Sequence, residues 1–157
     1  IEHAKAYAGM VLSLEAYNTV SRLNKGSDVI PYGLGVVTNG DDGAALPAAG
    51  ALATEFNGVV MYEINRAQQD GDVAGGTAGR DMTVVTHGEV WVTANLQVAK
   101  DDPVYFIVSD GTGTDQGKFS NVIGAAATLA VLIPNAKWTS STGGVSELAK
   151  ISFGIGG

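Results

Sequence analysis

The run Thr83-Val84-Val85-Thr86-His87-Gly88-Glu89-Val90-Trp91-Val92-Thr93 decides how the rest of this 157-residue chain is read. Side chains of an extended strand alternate between two faces, so Val84, Thr86, Gly88, Val90 and Val92 fall on one side. Thr83, Val85, His87, Glu89, Trp91 and Thr93 fall on the other. Glycine in the middle of such a run predicts a bulge or a tight bend of the kind that closes a barrel.

Outward from that run, the same signature repeats. Val104-Tyr105-Phe106-Ile107-Val108 is a continuous apolar run of strand length, which fits a strand buried on both faces, and Pro103 precedes it where no ladder donor is needed. Gly35 to Thr38, Gly58 to Ile64, Leu129 to Ile133, Ala136 to Thr139 and Leu148 to Phe153 are further strands. Ser140-Ser141-Thr142-Gly143-Gly144 between the last two is a turn cluster. With 22 glycines placed mainly between such runs, long helices are disfavoured and short strands joined by turns are expected. The fold class is all-β, a small β-sandwich or β-barrel.

The beginning of the chain fits two templates. As a helix, Ala4, Tyr7, Val11 and Leu14 share a stripe; as a strand, Met10, Leu12, Leu14 and Ala16 alternate with Val11, Ser13, Glu15 and Tyr17. Gly9 and the lack of caps favour an extended form. The expected organisation is therefore an N-terminal arm over residues 1–25 and a single β domain over 26–157. An apolar terminal segment needs cover, from its own domain or from a neighbour.

Composition closes off several functions. Nine Lys and Arg against 16 Asp and Glu give a formal charge of −7, which lacks the basic footprint of a nucleic-acid binder. No apolar run approaches the roughly 20 residues of a membrane span. With no cysteine, disulfide frameworks, thiolate zinc sites and Cys nucleophiles are all excluded. His3 and His87 have no metal-ligand spacing. Gly75-Gly76-Thr77-Ala78-Gly79-Arg80 is not a phosphate loop, and Gly33-Leu34-Gly35 lacks the third glycine of a dinucleotide turn.

Three acidic loops have hard-cation chemistry: Asn39-Gly40-Asp41-Asp42-Gly43, Asp70-Gly71-Asp72, and Asp110-Gly111-Thr112-Gly113-Thr114-Asp115. None follows the twelve-residue calcium pattern, and Asn-Gly and Asp-Gly pairs are first of all turn formers. No catalytic residue, cofactor site or metal site is assigned.

The order of features carries a resemblance. An apolar segment ending Val20-Ser21-Arg22-Leu23-Asn24 leads to Ile30-Pro31-Tyr32-Gly33-Leu34-Gly35-Val36-Val37, then to an acidic turn closed by Ala45-Leu46-Pro47. Phe56-Asn57-Gly58-Val59-Val60 follows, then a polar loop, the 84–92 strand, Asp101-Asp102-Pro103-Val104-Tyr105, Ala136-Lys137-Trp138 and Leu148 to Phe153. This resembles the structural cement, or capsid decoration, proteins of tailed bacteriophages with shells of the HK97 type. The resemblance implies a structural protein on the outer capsid surface, without catalysis or cofactor. Its partners would be the major capsid protein and its own copies, as a homo-dimer or homo-trimer. Under that reading an extended apolar segment adds to a neighbour's sheet edge, and Tyr7, Met10, Leu12, Leu14 and Tyr17 are the expected partner-binding residues.

Two other readings are weighed beside it. One is a carbohydrate-binding β domain of a surface protein, with Trp91, Trp138 or Tyr105 stacking on sugar and an acidic loop holding calcium. The other is a hydrolase built from dispersed carboxylates such as Glu63 and Glu89.

Overall fold

A computed structural model describes residues 6–11, 17–63, 75–124 and 127–154. Among these the chain forms eleven strands: β1 (Asn18–Asn24), β2 (Ile30–Pro31), β3 (Gly35–Asn39), β4 (Gly43–Ala45), β5 (Phe56–Val60), β6 (Gly75–Gly76), β7 (Asp81–Ala94), β8 (Pro103–Ser109), β9 (Phe119–Ser120), β10 (Leu129–Trp138) and β11 (Glu147–Gly154). A single 3₁₀ turn, Ala53–Glu55, precedes β5. The all-β expectation is borne out, and the core is a closed β-barrel.

Strand β7 organises the closure. Nine strands make one sheet in the order β1-β4-β3-β5-β7-β11-β10-β8-β9, with β7 also joined to β1 and to β9. Over its first half β7 pairs with β1 on one edge and β5 on the other, because Val85 faces both Thr19 and Val59. Strands β1, β4, β3, β5 and β7 therefore close into a ring. Over its second half β7 pairs with β11 from His87 to Ala94, and Ala94 meets Phe119 of β9. Strands β7, β11, β10, β8 and β9 close into a second ring that shares β7 with the first. Closure removes the open strand edges that invite uncontrolled pairing.

The alternation read from the sequence explains how one strand serves both rings. Val84, Gly88, Val90 and Val92 are buried, while His87 is exposed and Thr83, Glu89, Trp91 and Thr93 are half-buried. Val85 breaks the pattern: it is buried on the opposite face. Val84 packs in a small core with Ile30, Tyr32, Val36, Val60 and Met82, whereas Val85 joins the main core. An irregularity is present, but two residues before the glycine expected to carry it: Asn18 is opposite His87 and Thr19 opposite Val85, so Thr86 is an extra residue against β1, while Gly88 pairs in regular register with Phe153. Gly88 has φ of 126°, where a side chain is strained.

The main core is aromatic. Phe56 lies 4.9 Å from Phe106, 6.0 Å from Phe119 and 5.7 Å from Phe153, centroid to centroid, in tilted and edge-on arrangements that suit the ring quadrupole. Trp138 closes this core with no exposed surface and donates its indole N–H to the Ser120 carbonyl at 3.1 Å.

Boundaries differ from the sequence reading in three places. Leu129 to Ile133 and Ala136 to Thr139 are one strand, β10, because a register shift between Leu132 and Lys137 absorbs Pro134, and Asn135 takes a φ of 59° that Asn tolerates. Strand β5 stops at Val60; Ile64 lies outside the described residues. Asn18–Asn24, within the stretch read as an arm, is strand β1, hydrogen-bonded to β4 and β7.

Candidate partner-binding surface

The chain ahead of β1 is tied to the domain through its backbone. The Gly9 N–H donates to the Trp91 carbonyl at 2.6 Å, the Trp91 N–H to the Met10 carbonyl at 3.0 Å, and the Tyr62 N–H to the Gly9 carbonyl at 3.0 Å. Val11 then bridges to Val90 in antiparallel fashion. The approach is so close that only glycine fits on both sides. A Cβ on Gly9, at φ 81°, would sit 2.6 Å from the Val60 carbonyl oxygen, and one on Gly33, at φ 85°, would sit 2.5 Å from the Ala8 Cβ. Gly33, rejected as part of a nucleotide turn, is there to admit this segment.

With the backbone held, Val11 packs against the main core while Tyr7 is left largely exposed. Tyr7 is 52% exposed and stacks on Tyr62 with centroids 5.2 Å apart, and Tyr62 in turn meets the edge of Tyr32 at 5.3 Å. Met10 is half-buried, and Tyr17, just ahead of β1, is 42% exposed. Of the five residues expected to contact a partner, these three are placed; Leu12 and Leu14 lie outside the described residues.

The residues of the other readings are engaged elsewhere. Trp138 is core and has no face for a sugar. Trp91 is half-buried, with the Lys150 ammonium 5.7 Å from its ring centroid and its indole N–H buried with no hydrogen-bond acceptor among the described residues. Glu89 accepts from the Thr139 hydroxyl at 2.6 Å and pairs with Lys150 at 3.5 Å, so this carboxylate holds β7, β10's end and β11 together. Glu63 lies beyond the end of β5, and its backbone carbonyl accepts from the Tyr32 hydroxyl at 3.4 Å.

Two acidic loops are structural. The Asn39 to Gly43 loop is the β3–β4 turn, and Asp42 is held below its ordinary pKa by a hydrogen bond and charge from Lys25, 3.0 Å away. In the 110–115 loop Asp110 is desolvated, which alone would raise its pKa. Amide donors outweigh that: Thr112 at 2.9 Å and Gly113 at 2.6 Å on Oδ1, Thr114 at 3.1 Å and Asp115 at 2.8 Å on Oδ2. With the Thr112 hydroxyl added at 2.9 Å, they hold the carboxyl well below the usual carboxylate range. A carboxylate with five protein donors has no lone pair left for a cation. The Asp70 to Asp72 loop lies outside the described residues. Among the described residues no three His, Asp or Glu side chains gather as a metal would require.

A second apolar area escaped the sequence reading. Leu96 and Val122 are partly exposed and line a cavity of about 210 Å³ with Ile107, Ser120 and Thr128. Ile123, 68% exposed, continues it, and its carbonyl accepts from Ala130 beside exposed Leu129. The available signal was Val122-Ile123, two branched apolar residues in a stretch with no strand periodicity.

Fold and surface together define a small closed β protein with a buried aromatic and aliphatic core, several of whose polar side chains hold its own loops, and which leaves a few large apolar side chains, Tyr7, Tyr17, Val122 and Ile123 among them, exposed. The model of a family described as structural cement protein (E217 gp24/Pam3 gp6) matches residues 1–154, and the chain belongs to that family. It is thus a structural protein of the phage capsid. No curated protein matches the sequence. Among solved structures, a chain from the capsid of Myoviridae phage XM1 is similar in fold, with a TM-score of 0.74 at 18% identity over 98% of this chain and 92% of that one.

Proposed function

We propose that this protein cements a phage shell by binding its outer surface and bridging major capsid protein subunits, as a homo-dimer or homo-trimer, and that it transforms no substrate. The observation that carries the contact surface is the N-terminal segment. Its backbone is anchored at Trp91 and Tyr62, yet Tyr7 and Tyr17 stay about half exposed. Aromatic side chains held rigid before binding lose little entropy on docking and bury a large area. Tyr7, Met10, Leu12, Leu14 and Tyr17 together form the grip.

A cement works through multiplicity. Each contact has the strength of an ordinary interface, but a symmetric oligomer that spans several shell subunits makes the second contact intramolecular. Shell expansion or rupture must then break all contacts together. The carbohydrate reading loses Trp138 to the core, and the hydrolase reading loses Glu89 to Lys150 and Thr139.

Removing residues 1–17, which stops short of β1, tests the assignment. The truncated chain is expected to keep its far-UV β signature and to lose capsid binding in co-sedimentation. Undiminished occupancy on the shell would refute it.

A further inference from the structure

The chain contains two Asn-Gly pairs, Asn39-Gly40 and Asn57-Gly58, identical in sequence and opposite in surroundings. We propose that Asn39-Gly40 is a self-modification site, at which the Gly40 backbone nitrogen closes on the Asn39 side chain, promoted by the ammonium of Lys25. In the first step the Gly40 nitrogen attacks Asn39 Cγ. An N–C bond forms, the bond from Cγ to the side-chain nitrogen breaks, and ammonia leaves with the proton that Gly40 gave up, producing a cyclic imide. Water then opens either carbonyl of that ring, giving aspartate or its backbone-shifted isomer.

Three features of the turn favour this. Asn39 and Gly40 are both exposed at the end of the β3–β4 hairpin, and no hydrogen bond engages the Asn39 side chain among the described residues. Glycine leaves the attacking nitrogen unshielded, since it has no side chain of its own. The Lys25 Nζ, held 3.0 Å from Asp42 Oδ1, lies only 2.9 Å from where a Gly40 Cβ would stand. A cation at that spot stabilises both the deprotonated amide and the oxyanion formed on attack.

Asn57 has the reverse environment. Both asparagines lie in strands, Asn39 opposite Gly43, but the Asn57 Nδ2 donates to the Thr38 hydroxyl at 3.1 Å, and Gly58, unlike the turn residue Gly40, is itself in the ladder opposite Val36. Gly58 is also wedged against β7, where a Cβ would stand 2.7 Å from Val84 Cγ1, so its nitrogen has no room to swing toward Asn57. The same dipeptide is therefore reactive in one place and locked in the other. The product puts a new carboxylate beside Asp41 and Asp42, and the isomer lengthens the turn by one backbone carbon.

The test is to age the intact folded protein in warm, mildly alkaline buffer and follow both peptides by mass spectrometry with electron-based fragmentation, which separates aspartate from its isomer. Asn39 is expected to convert at least about tenfold faster than Asn57, the equivalent of about 1.4 kcal/mol in barrier. Lys25→Met, which keeps the aliphatic stem against Gly43, is expected to slow Asn39 about fivefold, as would high salt, with Lys25→Arg restoring the rate. Circular dichroism of each variant checks that the hairpin's sheet is intact. Equal conversion at the two sites, or conversion of Asn57 first, would overturn the site; an Asn39 rate indifferent to Lys25→Met and to salt would overturn the role given to Lys25.

Discussion

Gly33 shows how one residue governs the N-terminal segment from outside it. Its φ of 85° and the Ala8 Cβ that a side chain would meet at 2.5 Å both forbid substitution. Gly33→Ala is expected to cost about 2 kcal/mol, the sum of left-handed strain and displaced packing, and to release the first residues from Trp91. Thermal melting reads the first effect and faster hydrogen exchange at the Trp91 amide the second. At Asp110 the sign follows from a folded pKa held below the unfolded value of about 3.9. The stability this carboxylate contributes is complete above that value and is lost as pH falls below it toward the folded pKa. Asp110→Asn, which keeps an acceptor and removes the charge, is expected to lower the melting temperature at neutral pH and to flatten the acid limb below about pH 4. An unchanged acid limb would show that the loop amides do not depend on this charge. Phe106→Ala, which removes a fully buried ring packed between Phe56 and Phe119, is expected to cost about 3–5 kcal/mol in urea unfolding.

At the scale of elements, long periodic strands were legible and short ones were not. Strand β7 announced itself through the alternation from Thr83 to Thr93, which the structure keeps except at Val85, and it extends to Asp81 and Ala94. Strands β2, β6 and β9 have two residues each, so no period exists to read, and they are strands only because other elements bring partners to them. Strand β10 was split in the reading because Pro134-Asn135 carries turn chemistry; the chain uses it for a bulge instead. The candidate site was legible as an apolar segment, with Tyr7, Met10 and Tyr17 found at or near the surface. Its anchoring was not, since nothing in the order of residues says that Gly9 will lie between Trp91 and Tyr62. The Leu96, Val122 and Ile123 area was missed for the same reason: residues 26 apart meet only after the second ring closes. If β7 holds the two rings together as described, a charge at Val85, which faces the main core where its neighbours face the small one, should destabilise both. Val85→Asp is expected to abolish cooperative unfolding, and a variant that still melts in one sharp transition would contradict the shared strand.

For the whole molecule, two closed rings that share β7 take most of the strand edges of the nine-stranded sheet out of reach of further pairing among the described residues. A net charge of −7 opposes non-specific association of such units. The central claim is that assembly on the capsid strengthens the shell. The direct measurement is the rupture temperature of undecorated capsids, followed by release of their contents, with and without the purified protein at saturating concentration. Binding is expected to raise that temperature, and the chain lacking residues 1–17 is expected to leave it where it was. A protein that sediments with capsids yet leaves their rupture unchanged, or that never leaves the supernatant, would contradict the account.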